Sequence, residues 1–201
     1  MAIKAEDVKT LREKTGAGMM DCRKSLEETE GNIEKAIELL RKRGAASAEK
    51  RVGRATNQGV VESYIHTGAR LGSMVELNCE TDFVAKTDDF KLLARELAMQ
   101  IAAMNPRFIF REQVDKELIE KELEIYRSLA RSEGKPEQVV ERIAQGKLDK
   151  FYQDICLLEQ SYVKDPGKSV KDLITETIAK TGENISVKRF IRFHLGEDGQ
   201  A

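Results

Sequence analysis

The chain has 201 residues, 40% of them hydrophobic, which is enough for one good core and a small appended module, roughly one to two domains. Charged residues make up 34% yet nearly cancel to a net charge of -1, so no overall field draws the chain to nucleic acid or to an anionic membrane. Any partner must be recognised locally.

In chain order, residues 5–43 carry three short helical patterns. The first, Ala5 to Lys14, places Val8 and Leu11 three apart on one face and stops at Thr15-Gly16-Ala17-Gly18. The second runs from Met19 or Met20 to about Glu28, and Gly31-Asn32 breaks the chain. The third carries an apolar stripe of Ile33, Ala36, Ile37 and Leu40, with Gly44 closing the unit. So small a bundle is below the size at which a core is comfortably stable alone. Residues 45–57, Ala-rich and basic through Lys50, Arg51 and Arg54, read as a basic helical linker.

The period then changes to two: Val60, Glu62, Tyr64 and His66 alternate with Val61, Ser63 and Ile65, and Thr67-Gly68-Ala69-Arg70 leads into Leu71 to Cys79, a β-hairpin. After Glu80-Thr81-Asp82-Phe83-Val84-Ala85 comes a helix from about Asp88, with Phe90, Leu93, Leu97, Ile101 and Met104 at helical spacing, ended by Pro106. A charged helix from about Asp115 to Ser132, the break Gly134-Lys135-Pro136, and two shorter helical stretches around Val139 to Ile143 and Leu148 to Leu158 follow. Pro166-Gly167 introduces a helix from about Ser169 to Lys180, Gly182 closes it, and Ile185, Val187, Phe190, Ile191 and Phe193 mark a last strand. A hairpin alone is marginal in water, so that strand is expected to complete a three-stranded antiparallel sheet with helices on one face, an α+β core over 58–201.

Chemistry finds no assembled candidate. Thr15-Gly16-Ala17-Gly18 lies between helices and lacks a following Lys-Ser, and Gly167-Lys168-Ser169 has Tyr162 where a phosphate loop needs its first glycine. Cys22, Cys79 and Cys156 are odd in number and widely spaced, which suits reduced thiols in a cytosol-like compartment better than zinc or a disulfide framework. A thiol enzyme would have only His66 and His194 as bases, and Cys79 reads more simply as a small buried residue. The basic cluster Lys50 to Arg54 has no aromatic neighbour for stacking RNA bases. No cofactor, metal or catalytic residue is expected. The start, Met1 to Asp7, has neither an apolar signal core nor a transit-peptide composition, and no apolar run approaches the roughly 18 residues of a membrane span.

Two features resist the plain reading. Phe83 is a large ring in a strand-to-helix loop, where polar residues usually sit, although local packing against the next helix is the simpler account. Met19 and Met20 are adjacent at a helix start and point about 100° apart, so one is expected in the core and one exposed.

Leu11 to Cys22, reading Leu-Arg-Glu-Lys-Thr-Gly-Ala-Gly-Met-Met-Asp-Cys, is very similar to the N-terminal signature of bacterial-type elongation factor Ts. Glu76-Leu77-Asn78-Cys79-Glu80-Thr81-Asp82-Phe83-Val84-Ala85 resembles that family's second signature. Gly134-Lys135-Pro136, Gly146-Lys147-Leu148 and Arg189 to Phe193 fall where short members have similar segments, so the resemblance spans nearly the whole chain.

The resemblance implies a ubiquitin-associated-like three-helix domain over 1–44, a linker over 45–57 and a core over 58–201 that serves dimerisation and partner binding. It implies the compact type that can act as a homodimer in a 2:2 complex, without the duplicated core and protruding coiled coil of longer members. The implied partner is elongation factor Tu, GDP-bound or nucleotide-free, and the implied activity is guanine nucleotide exchange in the cytoplasm or in an organelle of bacterial descent. In the family, the segment matching Thr81, Asp82, Phe83 and Val84 dislodges the partner's magnesium ion, with the phenylalanine as wedge. Arg12, Met19 and Met20 match residues that touch the partner's nucleotide-binding domain. The rival from another class is a ubiquitin-like or nascent-chain binding module confined to 1–44, for which the Thr81 to Val84 loop would be dispensable.

Overall fold

The structure, a computed structural model, describes residues 3–197. These residues form a mixed α/β fold with eight α-helices, and the expected three-stranded sheet is present. The helices are α1 (Ala5–Thr15), α2 (Met19–Glu28), α3 (Ile33–Glu49), α4 (Asp82–Ala85), α5 (Asp88–Met104), α6 (Lys116–Ser132), α7 (Glu137–Ile155) and α8 (Val170–Thr181). The strands are β1 (Gln58–Ile65), β2 (Leu71–Cys79), β3 (Ser161–Tyr162), β4 (Asp165–Ser169) and β5 (Ile185–His194). The antiparallel sheet has the order β1-β2-β5, and β3 and β4 form a separate antiparallel pair.

The chain divides into two compact units. One holds the chain up to Val61 with Glu76–Ala94 and Asp172–Lys188; the other holds Glu62–Val75, Arg95–Lys171 and the chain from Arg189 on.

In the first unit, α1, α2 and α3 close around Val8, Leu11, Cys22, Leu26 and Ala36, with Ile33, Ile37 and Leu40 against them, the stripe that helical spacing predicts. Asn32 caps α3 by accepting from the Lys35 amide at 3.0 Å. Gly44 does not close this helix: α3 runs through it to Glu49 because Ala45, Ala46 and Ala48 are strong helix formers that outweigh one glycine. The glycine is needed for approach instead, since a Cβ there would lie 3.0 Å from the Ala179 Cβ on α8. Beyond the helix, Arg51 Nε donates to the Gly182 carbonyl at 2.8 Å, and Asn184 Nδ2 donates to the Arg54 carbonyl at 2.9 Å. These bonds fix residues 45–57 along the end of α8.

In the second unit, α6 and α7 pair antiparallel over Val114, Leu123, Ala144, Leu148, Tyr152 and Ile155. The ion pairs Arg127 to Glu141 (2.8 Å) and Arg131 to Glu137 (2.8 Å) run along the pair in opposite chain directions. The structure corrects two expectations here. The two short stretches after Pro136 are one helix, α7, because Gly146 sits at an open position where nothing forces a break. With α6 it forms a long helical hairpin. Pro166-Gly167 also differs from expectation: both lie within β4, and the helix begins at Val170.

Arg111, in a short 3-10 turn, anchors the base of this hairpin. Its guanidinium forks onto both carboxylate oxygens of Glu159, donates to Asp149 at 2.9 Å and stacks 4.5 Å above the Tyr152 ring. A buried amide pair, Gln100 Nε2 to Gln160 Oε1 at 3.1 Å, ties α5 to the segment that enters β3.

Candidate functional site

All seven residues that the sequence singles out, Arg12, Met19, Met20, Thr81, Asp82, Phe83 and Val84, fall in the first unit. The turn between α1 and α2 is built by its own sequence. Gly16 caps α1 in the left-handed region, φ +67°, which a side chain would strain, and its amide returns to the Arg12 carbonyl at 2.7 Å. The Thr15 hydroxyl donates to the Leu11 carbonyl at 2.7 Å and accepts from the Ala17 amide at 3.3 Å. Arg12 is exposed on this turn.

Met19 and Met20 are 52% and 61% exposed, which corrects the expectation that one enters the core. The buried face of α2 is made by Cys22, Ser25 and Leu26, and the first of these is Cys22. Met19 opens the helix one turn earlier, before that face begins, so both thioethers meet solvent.

The second group follows β2. Phe83 is not in a loop but on the one-turn helix α4, and it is 79% exposed. Its neighbours Val84 and Ala85 are buried, so the turn is anchored by its inner face while the ring points outward. Local packing, the simpler account of Phe83, is excluded by that exposure. Asp82 is exposed, and its Oδ2 accepts from Lys86 Nζ at 2.6 Å; that hydrogen bond holds the carboxyl below its ordinary range.

Thr81 is the N-cap of α4, its hydroxyl accepting from the Val84 amide at 3.4 Å. Its own amide and hydroxyl both donate to Glu183, at 3.0 Å and 2.6 Å. Next to it, the Glu80 carboxylate accepts from the Asn184 amide at 2.7 Å. The buried Cys79 thiol donates to the Thr81 carbonyl at 3.1 Å. Burial, and next the charge of Glu183, push that thiol above its ordinary range, the reverse of what a cysteine nucleophile needs.

Both groups meet the end of α8. A Cβ on Gly16 would come 2.6 Å from Lys180 Cε, so the Lys180 side chain lies over the α1–α2 turn, and three residues later Glu183 holds Thr81. Residues 180–184 thus connect the turn before Met19 to the turn that carries Phe83. Sequence reasoning missed Lys180, Glu183 and the 57%-exposed Leu92. Leu92 left a signal, an apolar residue off the stripe of Phe90, Leu93 and Leu97. Glu183 left none, because its partner lies 102 positions away.

Fold and site together define a mixed α/β protein that offers apolar side chains on firmly held turns, the surface chemistry of a protein that grips another protein. The sequence model described as Elongation factor TS matches residues 2–197. Over 195 residues the chain is 59% identical to the elongation factor Ts of Carboxydothermus hydrogenoformans, covering 97% of this chain and 90% of that relative. It is 58% identical over 199 residues to that of Thermotoga neapolitana, covering 99% and 100%. The elongation factor Ts of Thermoanaerobacter sp. is 57% identical over 195 residues, covering 97% and 96%. The chain belongs to the elongation factor Ts family, and so to the elongation factors of protein biosynthesis. None of the helices among the described residues is long and apolar enough to cross a membrane.

Proposed function

We propose that this chain is a guanine nucleotide exchange factor that binds elongation factor Tu loaded with GDP and promotes GDP release. The observation that carries this reading is Phe83, a ring 79% exposed on a turn whose other side is buried and hydrogen-bonded. A monomer gains nothing from presenting a phenylalanine on so firm a support; a partner with a cleft does. In this reading Phe83 wedges beside the partner's nucleotide site and displaces its magnesium ion. That leaves the phosphate charges uncompensated and favours release. Thr81, Asp82 and Val84 hold the wedge, and Arg12, Met19 and Met20 grip the nucleotide-binding domain.

The thermodynamics is linkage. A factor that prefers the nucleotide-free partner weakens nucleotide binding by the same ratio in which nucleotide weakens its own binding. Moving the partner from 1:99 to 99:1 requires about 5.5 kcal/mol of differential affinity, within reach of a few buried anchors. The chain supplies binding energy and no bond-making chemistry, so it is not an enzyme in this reading and needs no cofactor. Its place is the bacterial cytoplasm or an organelle of bacterial descent.

The three-helix segment would act as a ubiquitin-associated-like domain, and the second unit as the seat of a homodimer within a 2:2 complex. The exposed sheet face supports the latter. The Ser73 hydroxyl and Arg192 Nε donate to the carbonyls of Ala98 and Ala102 on α5, so Met74, Ile191 and Phe193 point the other way. Ile65 joins them, since a Cβ on Gly72 would meet its Cδ1 at 2.6 Å. All four are exposed.

Release of a fluorescent GDP analogue from elongation factor Tu, followed by stopped flow, tests the reading. Acceleration by the full chain, and its loss in Phe83→Ala, is the expected result. A chain that leaves the release rate unchanged sinks the exchange function. Retained partner binding by residues 1–44 alone, with Phe83 dispensable, would favour a simple binding module.

A further inference from the structure

A four-residue helix cannot hold itself. Helix formation needs a nucleus that α4 is too short to repay, so the direction of Phe83 must be imposed from outside. Val84 and Ala85 supply part of the anchor by burial, but apolar contacts are non-directional and leave the turn free to tilt. Direction comes from hydrogen bonds, and on the N-terminal side of Phe83 these converge on one group.

We infer that Glu183 is the positioning residue of the exchange site: by gripping both donors of Thr81 it sets the orientation in which α4 presents Phe83. This inference rests on the exchange reading above. Two charge-assisted bonds to one residue, at 3.0 Å from the Thr81 amide and 2.6 Å from its hydroxyl, fix a plane rather than a single point. The grip is reciprocal. Glu183 takes the donors of Thr81 while the neighbouring Glu80 takes the amide of Asn184 at 2.7 Å, so each corner holds the other by a carboxylate. Asn184 is itself tied to the Arg54 carbonyl, and Thr56 to Ser186 at 2.8 Å, which keeps the Glu183 corner from following the turn if it tilts. Lys180, over Gly16, places the same corner against the turn that precedes Met19 and Met20. One short segment therefore sets the relation between the gripping methionines and the wedge.

Glutamine at 183 has nearly the same shape but no charge: its oxygen serves only one Thr81 donor, and its NH2 meets the hydroxyl only if that hydroxyl turns round to accept, so both bonds lose their charge assistance. Glu183→Gln should therefore leave the grip on elongation factor Tu and loosen the wedge. In the stopped-flow assay with the full chain, the saturating rate of GDP release should fall about ten-fold, with the half-saturating concentration within about two-fold of wild type. Thr81→Val, which removes the hydroxyl bond to Glu183 together with the cap on the Val84 amide, should show the same split. The double variant should lose less than the two singles combined, because both changes weaken one shared contact. In the free chain, exchange of the Val84 amide should speed up about ten-fold or more in Glu183→Gln.

A Glu183→Gln protein with an unchanged saturating rate, or one that loses rate and apparent affinity together, overturns the inference. So does an unchanged Val84 amide. If Glu183→Gln does not fold, Glu183→Asp, which keeps the charge but shortens the reach to Thr81, decides by the same criteria. If the wild-type chain does not accelerate release at all, the exchange reading falls, while amide exchange still reports whether Glu183 holds α4.

Discussion

The two units present exposed apolar side chains in different settings. In the first, Met19 and Met20 open α2 next to a hydrogen-bonded turn, and Phe83 stands on a one-turn helix whose other side is buried. In the second, the α6–α7 hairpin carries ion pairs from Arg127 and Arg131 alongside the exposed Ile125 and Leu129, and Ile65, Met74, Ile191 and Phe193 share one exposed sheet face. In the proposed reading the first setting is where the partner acts and the ion-paired hairpin is support. The distinction can be broken or sharpened one residue at a time.

The sharpest test uses two phenylalanines seven positions apart. Phe90 is fully buried, so Phe90→Ala should lower stability by about 3–5 kcal/mol in denaturant unfolding. Phe83→Ala should leave the unfolding midpoint unchanged and slow assisted GDP release at least about 30-fold, the loss of one hot-spot anchor of about 2 kcal/mol. A stability loss at Phe83 would erase the contrast.

On the sheet face, Phe193→Lys should shift sedimentation from dimer to monomer at micromolar concentration without loss of fold, since Phe193 is 65% exposed in the single chain. A sedimentation profile that does not change would remove that face from the proposed assembly.

Within the second unit, Arg111→Met should cost about 1–3 kcal/mol, because Glu159 and Asp149 lose their partner where water reaches them only in part. Alkali should weaken the same region. Burial pushes the Cys156 thiol from 9.0 up to about 11. Below pH 9 both folded and unfolded forms hold the proton and the stability is fully present. Between pH 9 and 11 the unfolded thiol ionises first, so the unfolding midpoint should fall. A midpoint flat through that window would contradict the burial. The smallest effect belongs to Arg127→Met. Its partners Glu120, Glu124 and Glu141 are exposed, so the loss should stay below about 1 kcal/mol and shrink further in salt.

Periodicity was enough to place the three N-terminal helices, the hairpin, α5 and the last strand, because amphipathic spacing is a local property written in consecutive residues. The two signatures were equally legible, as were the buried fates of Leu11, Cys79 and Phe90. Local reading failed where neighbours far along the chain decided the outcome. Gly44 read as the close of a unit and residues 139–158 as two separate stretches, yet both helices continue, since the flanking residues favour helix. Both Met19 and Met20 are exposed because the buried face of α2 begins only at Cys22, which no count of helical angles reveals. The sequence alone determined the three N-terminal helices, the hairpin, α5 and the last strand, and that Phe83 was unusual. Only the tertiary structure decided that Phe83 faces water on a held turn, and that its holder is Glu183. Hydrogen bonds between residues 102 positions apart leave no periodic trace and exist only once the chain has brought the two corners together.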